Sequence, residues 1–254
     1  MLNGGNVMKC IGFIGKTNKT EMVQYVAKII SSLGNKVMVI DATMAQRTRY
    51  TVPTILGTEN QAQYVVQHDS VEIAIGFSNM LELKKYLLSK GEDFNEYDYI
   101  LVDTDIEEMI EEYDLKSANN IFFVSSYDKY DVIKGIELLR FACAAKRRAD
   151  PEGTLLVEKA LYYSEINSTD SKYINRLSEN LPVEWDFTEI GFPYDQNDIS
   201  VNIQNQYASK LDLRRLSKQY KDALVSTVKI ITGEQEGSLK KVVKNIERNA
   251  KFSA

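Results

Sequence analysis

Residues 9–41, KCIGFIGKTNKTEMVQYVAKIISSLGNKVMVID, decide the fold. Cys10 to Ile14 is a short apolar run that stops at Gly15, and it reads as a buried strand. Past the polar loop GKTNKT, residues Met22, Val23, Val26, Ala27, Ile30 and Leu33 recur at helical spacing on one face. Gly34 stands where a helix-ending glycine belongs. Val37 to Ile40 is a second apolar strand with Asp41 at its carboxyl end. The stretch is a βαβ opening. Its first loop leads into a helix N-terminus, where free N–H groups and the positive end of the dipole favour phosphate.

The alternation continues down the chain. Strands are expected at Val71–Phe77, Tyr99–Val102, Ile121–Ser125, Leu155–Tyr163 and Trp185–Phe192. Helices are expected at Asn79–Lys90, Tyr130–Lys146 and Tyr173–Leu181, with one long closing helix over Leu211–Ile231. This pattern predicts an α/β fold: a doubly wound, mostly parallel sheet of about seven strands with helices on both faces. Ligands of such sheets lie at the carboxyl ends of the strands, where Lys19, Asp41 and Asp103 converge. The acidic run at 107–112 reads as a solvated helix face.

Two motifs carry a resemblance. FIGKTNKT, residues 13–20, resembles the deviant Walker A loop GKGGVGKT of the ParA/MinD superfamily of P-loop ATPases. EYDYILVDTDIEE, residues 96–108, resembles that family's Walker B segment YDYIIIDTPPG, and FPYD at 192–195 resembles its IPYD turn beside adenine. The resemblance runs through residues 9–232 and implies ATP or ADP with Mg²⁺ as cofactor. It implies nucleotide contacts from Gly15, Lys16, Thr17, Asn18, Lys19, Thr20, Pro193 and Asp195, and metal contacts from Thr20, Asp41 and Asp103. The loop also departs from the pattern. Ile14 stands at the signature lysine that reaches across a family dimer, and Lys16 and Asn18 replace glycines. Thr43 stands at the switch I aspartate that positions the attacking water, and a hydroxyl cannot act as that base. Tyr163 or Ser164 occupies the region of the family's adenine-contacting asparagine. Hydrolysis is therefore expected to be weak or absent.

Composition narrows the class. The chain has 254 residues, a net charge of −5 and 26% charged residues, ordinary for one large globular domain and adverse to a generally basic nucleic-acid binder. A basic cluster, Lys146-Arg147-Arg148, sits where it complements a helix dipole. Only Cys10 and Cys143 are present, which argues against a disulfide framework and for a reducing cytoplasm. The sole histidine, His68, lies in a polar stretch and reads as a surface residue.

Residues 1–8 are expected to be a disordered leader, 9–232 the P-loop domain, and 233–254 a basic amphipathic tail. In that tail Leu239, Val242, Val243, Ile246 and Ala250 recur at helical spacing, and five basic residues face one acidic one. Such a helix suits peripheral contact with an anionic membrane. The resemblance implies a homodimer that acts as a positioning hub for a membrane-associated machine, such as a pilus or secretion assembly. TadZ and CpaE are the nearest functional analogues, although they carry a preceding receiver-like domain. An active partition ATPase and a scaffold that has lost nucleotide are the alternatives.

Overall fold

The computed structural model describes residues 8–53, 62–112, 118–163 and 171–250. Most of the expected leader, the end of the switch I segment, Ser164, and the last residues of the tail lie outside them. Among the described residues the strands are β1 (Lys9–Ile14), β2 (Val37–Ala42), β3 (Tyr64–His68), β4 (Val71–Ile75), β5 (Tyr99–Thr104), β6 (Ala118–Ser125), β7 (Leu155–Tyr163) and β8 (Val183–Pro193). They form one sheet of 8 strands in the order β3-β4-β2-β5-β1-β6-β7-β8. Every pairing is parallel except β3 with β4.

The helices are α1 (Thr20–Ser31), α2 (Met80–Ser89), α3 (Glu107–Glu112), α4 (Lys129–Ala149), α5 (Lys172–Ser178), α6 (Gln196–Ala208), α7 (Lys218–Thr232) and α8 (Glu236–Asn249). Two cores flank the sheet. One gathers Ile11, Phe13, Val39 and Leu101 against α1, α7 and α8; the other gathers Ile14, Ile40, Ile100 and Val102 against α2, α3 and α4. The central strands are apolar on both faces because both faces are covered. The βαβ opening and the doubly wound sheet stand as the sequence implied.

Two readings are corrected, and the sheet carries one strand beyond the roughly seven expected. The eighth strand, β3, joins β4 as a hairpin through Asp69, which adopts φ +53. Period-2 alternation along YVVQH turns His68 to the same side as Tyr64 and Val66. His68 is thus 1% exposed rather than at the surface, with neither ring nitrogen hydrogen-bonded, and burial holds its pKa below the usual value. The long closing helix begins only at Lys218, capped by the Ser217 hydroxyl on the Tyr220 N–H, while Leu211, Leu213 and Leu216 are buried in the non-helical segment and turn before it. A further helix, α6, occupies 196–208, a stretch to which the sequence reading assigned no element.

The tail forms the expected helix, but its apolar face is in use. Leu239, Val243 and Ile246 are buried in the core shared with α1 and α7, and Lys221 pairs with Glu247 at 2.8 Å. The side chains that a membrane would receive are packed on protein. Residues 236–249 pack against α1 and α7.

Candidate functional site

The site lies at the carboxyl ends of β1, β2, β5 and β6. At the end of β1 the chain passes so close to β6 that a Cβ on Gly15 would stand 1.9 Å from the Val124 carbonyl oxygen. Glycine is required there by backbone contact. The loop then opens α1, and each of its side chains has a partner. Lys16 Nζ donates to the Asp105 carbonyl at 2.5 Å, and the Thr17 hydroxyl donates to Asp131 at 2.6 Å. Asn18 Oδ1 accepts from the Thr20 N–H at 3.4 Å, and its amide donates to Glu21 at 3.3 Å.

Lys19 is 2% exposed and turned inward. Its ammonium donates to the Gly15 carbonyl at 2.8 Å and sits 2.8 Å from Asp103 Oδ1. The Thr20 hydroxyl donates to the other Asp103 oxygen at 3.4 Å. Asp103 is fully buried; desolvation, aided by the neighbouring Asp41 carboxylate, outweighs the attraction of Lys19 and pushes its pKa up to about 6.

Asp41 is the Cα partner of Asp103 on the adjacent strand. Its carboxylate is spent on the following loop. Oδ1 accepts from the Thr43 N–H at 3.0 Å and the Thr43 hydroxyl at 2.6 Å, and Oδ2 accepts from the Thr48 N–H at 3.0 Å. Thr43 thus has a structural task that the sequence did not suggest. Thr20 and Asp103 remain side by side as the sequence implied, whereas Asp41 faces its loop. No cluster of three or more acidic, histidine or cysteine side chains suited to a metal occurs among the described residues.

Beside the loop opens a cleft of about 510 Å³. One wall is Lys16, Thr17 and Asn18; the facing wall is Tyr194, Ile199 and Ile203. That second wall exists because α6 packs with its amphipathicity reversed. Asn202 accepts from the Tyr25 hydroxyl at 3.0 Å, Asn205 donates to the same hydroxyl at 2.7 Å, and Gln206 donates to Glu21 at 2.5 Å. With its polar side bonded to α1, the helix turns Ile199 and Ile203 outward, 39% and 47% exposed, beside the cleft. Pro193 lines the cleft. Asp195 does not; it caps α6 by accepting from the N–H groups of Asn197 and Asp198 at 2.8 and 3.2 Å.

Ile14, at the signature-lysine position, is 1% exposed in the core against α4 and does not face the site. Sequence reading also passed over Arg47, which lines the cleft and a smaller recess of about 130 Å³ above the loop. The one signal available was a cation in the segment that follows Asp41. Taken together, the cleft fits a nucleoside base on its apolar wall and phosphates on its Lys–Thr loop. It does not fit a magnesium site that needs a free Asp41.

No protein-family model matches the chain, and no curated protein matches it in sequence. Solved structures do match. The MinC:MinD cell division protein complex of Aquifex aeolicus aligns with TM-score 0.56 at 16% identity, covering 90% of this chain and 97% of that one. An ATP complex of a McdA variant from Cyanothece gives TM-score 0.57 at 14% identity over 91% and 98%. An AMPPNP-bound plasmid partition protein of Borrelia burgdorferi gives TM-score 0.54 at 14% identity over 87% and 98%. The chain has a ParA/MinD-like P-loop fold.

Proposed function

We propose that the chain binds ATP or ADP without efficient hydrolysis and works as a positioning hub for a membrane-associated protein machine. The observation that carries this reading is the wiring of the phosphate end. Lys19 is paired with Asp103, Asp41 holds its own loop, and a threonine stands at the switch I base. The apolar wall of the cleft stays open for a base. A general base is typically worth ~10²–10⁴ in rate, so its loss favours a protein that reads nucleotide occupancy over one that turns it over.

The fold likeness to positioning and partition ATPases supports the hub reading, and a homodimer is proposed with it. Such a dimer forms without a lysine bridge, because Ile14 is buried away from the site. The test is calorimetry with ATP·Mg²⁺ together with a phosphate-release assay on the same protein. Binding without release is the expected result. Turnover stimulated by DNA favours a partition ATPase instead, and absence of both favours a scaffold.

A further inference from the structure

The cleft holds more acidic groups than basic ones, yet its acids are occupied. Glu21 accepts from Gln206 and Asn18, and Asp131 accepts from Thr17 and from Ser126 at 2.6 Å. Asp198 accepts from the Ser217 N–H and hydroxyl at 2.6 and 2.7 Å, and Asp128 caps α4. In the smaller recess, Asp105 accepts from the Met44 N–H at 2.8 Å while its carbonyl takes Lys16. Lys19 is locked on Asp103. Arg47 alone among these charged side chains has no partner among the described residues, and it lines both cavities beside Lys16, Thr17 and Asn18.

Its position is built. Asp41 fixes the Thr48 N–H and both donors of Thr43, so the loop is pinned on either side of Arg47. Gln46 takes φ +44 to start the 3-10 turn Arg47–Tyr50. The carboxylate thus holds a loop that brings Arg47 to the two cavities lined by Lys16, Thr17 and Asn18. A guanidinium grips phosphate through two parallel N–H donors, and an exposed one is available to do so.

We propose that Arg47 is a phosphate-binding residue of this cleft, supplied by the chain itself and held in place by the Asp41-pinned loop, gripping a polyphosphate that enters beside the Lys–Thr loop. The assignment rests on the nucleotide reading above and adds that charge recognition comes from the switch I loop.

Calorimetry on the full chain tests it with three probes: ATP·Mg²⁺, adenosine and inorganic tripolyphosphate. Arg47→Ala is expected to weaken ATP and tripolyphosphate about tenfold while leaving adenosine unchanged; Arg47→Lys should recover part of the loss. Because Arg47 is exposed, the variant should melt with the parent. Parental ATP and tripolyphosphate affinity in Arg47→Ala would overturn the clamp and leave the nucleotide reading standing. Parent protein that binds tripolyphosphate through Arg47 but neither ATP nor adenosine would overturn the nucleotide reading and keep the clamp. Binding of none of the three would overturn both.

Discussion

The loops after β2 and β5 begin from matched positions and do opposite things. Asp41 and Asp103 are Cα partners on adjacent strands, each about 1% exposed. Asp41 accepts three hydrogen bonds, two of them from backbone N–H groups of its own loop. Asp103 faces the Lys19 ammonium and the Thr20 hydroxyl. One carboxylate organises backbone, and its neighbour neutralises a buried charge. The difference shows that two aspartates in one β-end position acquire their roles from the loops that follow them. Thr43 supplies two of the three donors that Asp41 accepts, the hydroxyl at 2.6 Å the shortest of them.

Removing the charge partner should have the largest effect. Lys19→Met leaves a buried carboxylate with the Thr20 hydroxyl alone, and should cost ~3–5 kcal/mol at pH 8 by denaturant unfolding. Lys19→Met combined with Asp103→Asn should recover much of that. If the single variant is as stable as the parent, the pair is not the buried contact described here.

The second contrast is in pH. Asp103 has a folded pKa of about 6, above its unfolded value, so the native state binds the proton more tightly. Its contribution is fully present below the unfolded pKa near ~4 and is lost as pH rises through ~6. Stability should therefore fall by ~2–3 kcal/mol across that window from this group, and Asp103→Asn should flatten the slope. An unchanged profile in the variant would contradict the assignment.

These two aspartates also show what could be read in advance. Strand-end carboxylates beside a Lys–Thr loop are visible as residue types at the ends of apolar runs, and the sheet follows from covered strands alternating with one-sided helices. The donors of Asp41 are backbone N–H groups, which have no letter in a sequence. For α6 the pattern was largely inverted: Asn202, Asn205 and Gln206 face the body and Ile199 and Ile203 face outward, so Val201 alone marked the inward face as apolar. In β3, a five-residue edge strand ending in a histidine, alternation was present but short. His68 was misplaced by composition where period-2 spacing would have placed it.

Smaller effects sharpen the Asp41 side. Asp41→Ala should leave the Thr43 and Thr48 N–H groups without their acceptor and cost ~1–3 kcal/mol, with faster amide exchange confined to the 43–50 loop. Exchange that speeds up around Lys19 instead would show that Asp41 serves the phosphate loop. Thr43→Ala removes only one hydroxyl bond to Asp41 and should cost about 1 kcal/mol, read from the same unfolding curves. A cost as large as that of Asp41→Ala would show that Thr43 does more than hold the carboxylate.

The central claim is that the phosphate end is wired to itself, so that nucleotide is held and not consumed. Its most direct test is a single-turnover experiment with γ-labelled ATP and Mg²⁺ under saturating protein, followed by quenching and separation of nucleotides. The account requires the bound ATP to be recovered intact, with phosphate release no faster than in buffer. Conversion of the bound ATP to ADP well above that background, by the wild-type chain alone, would contradict it.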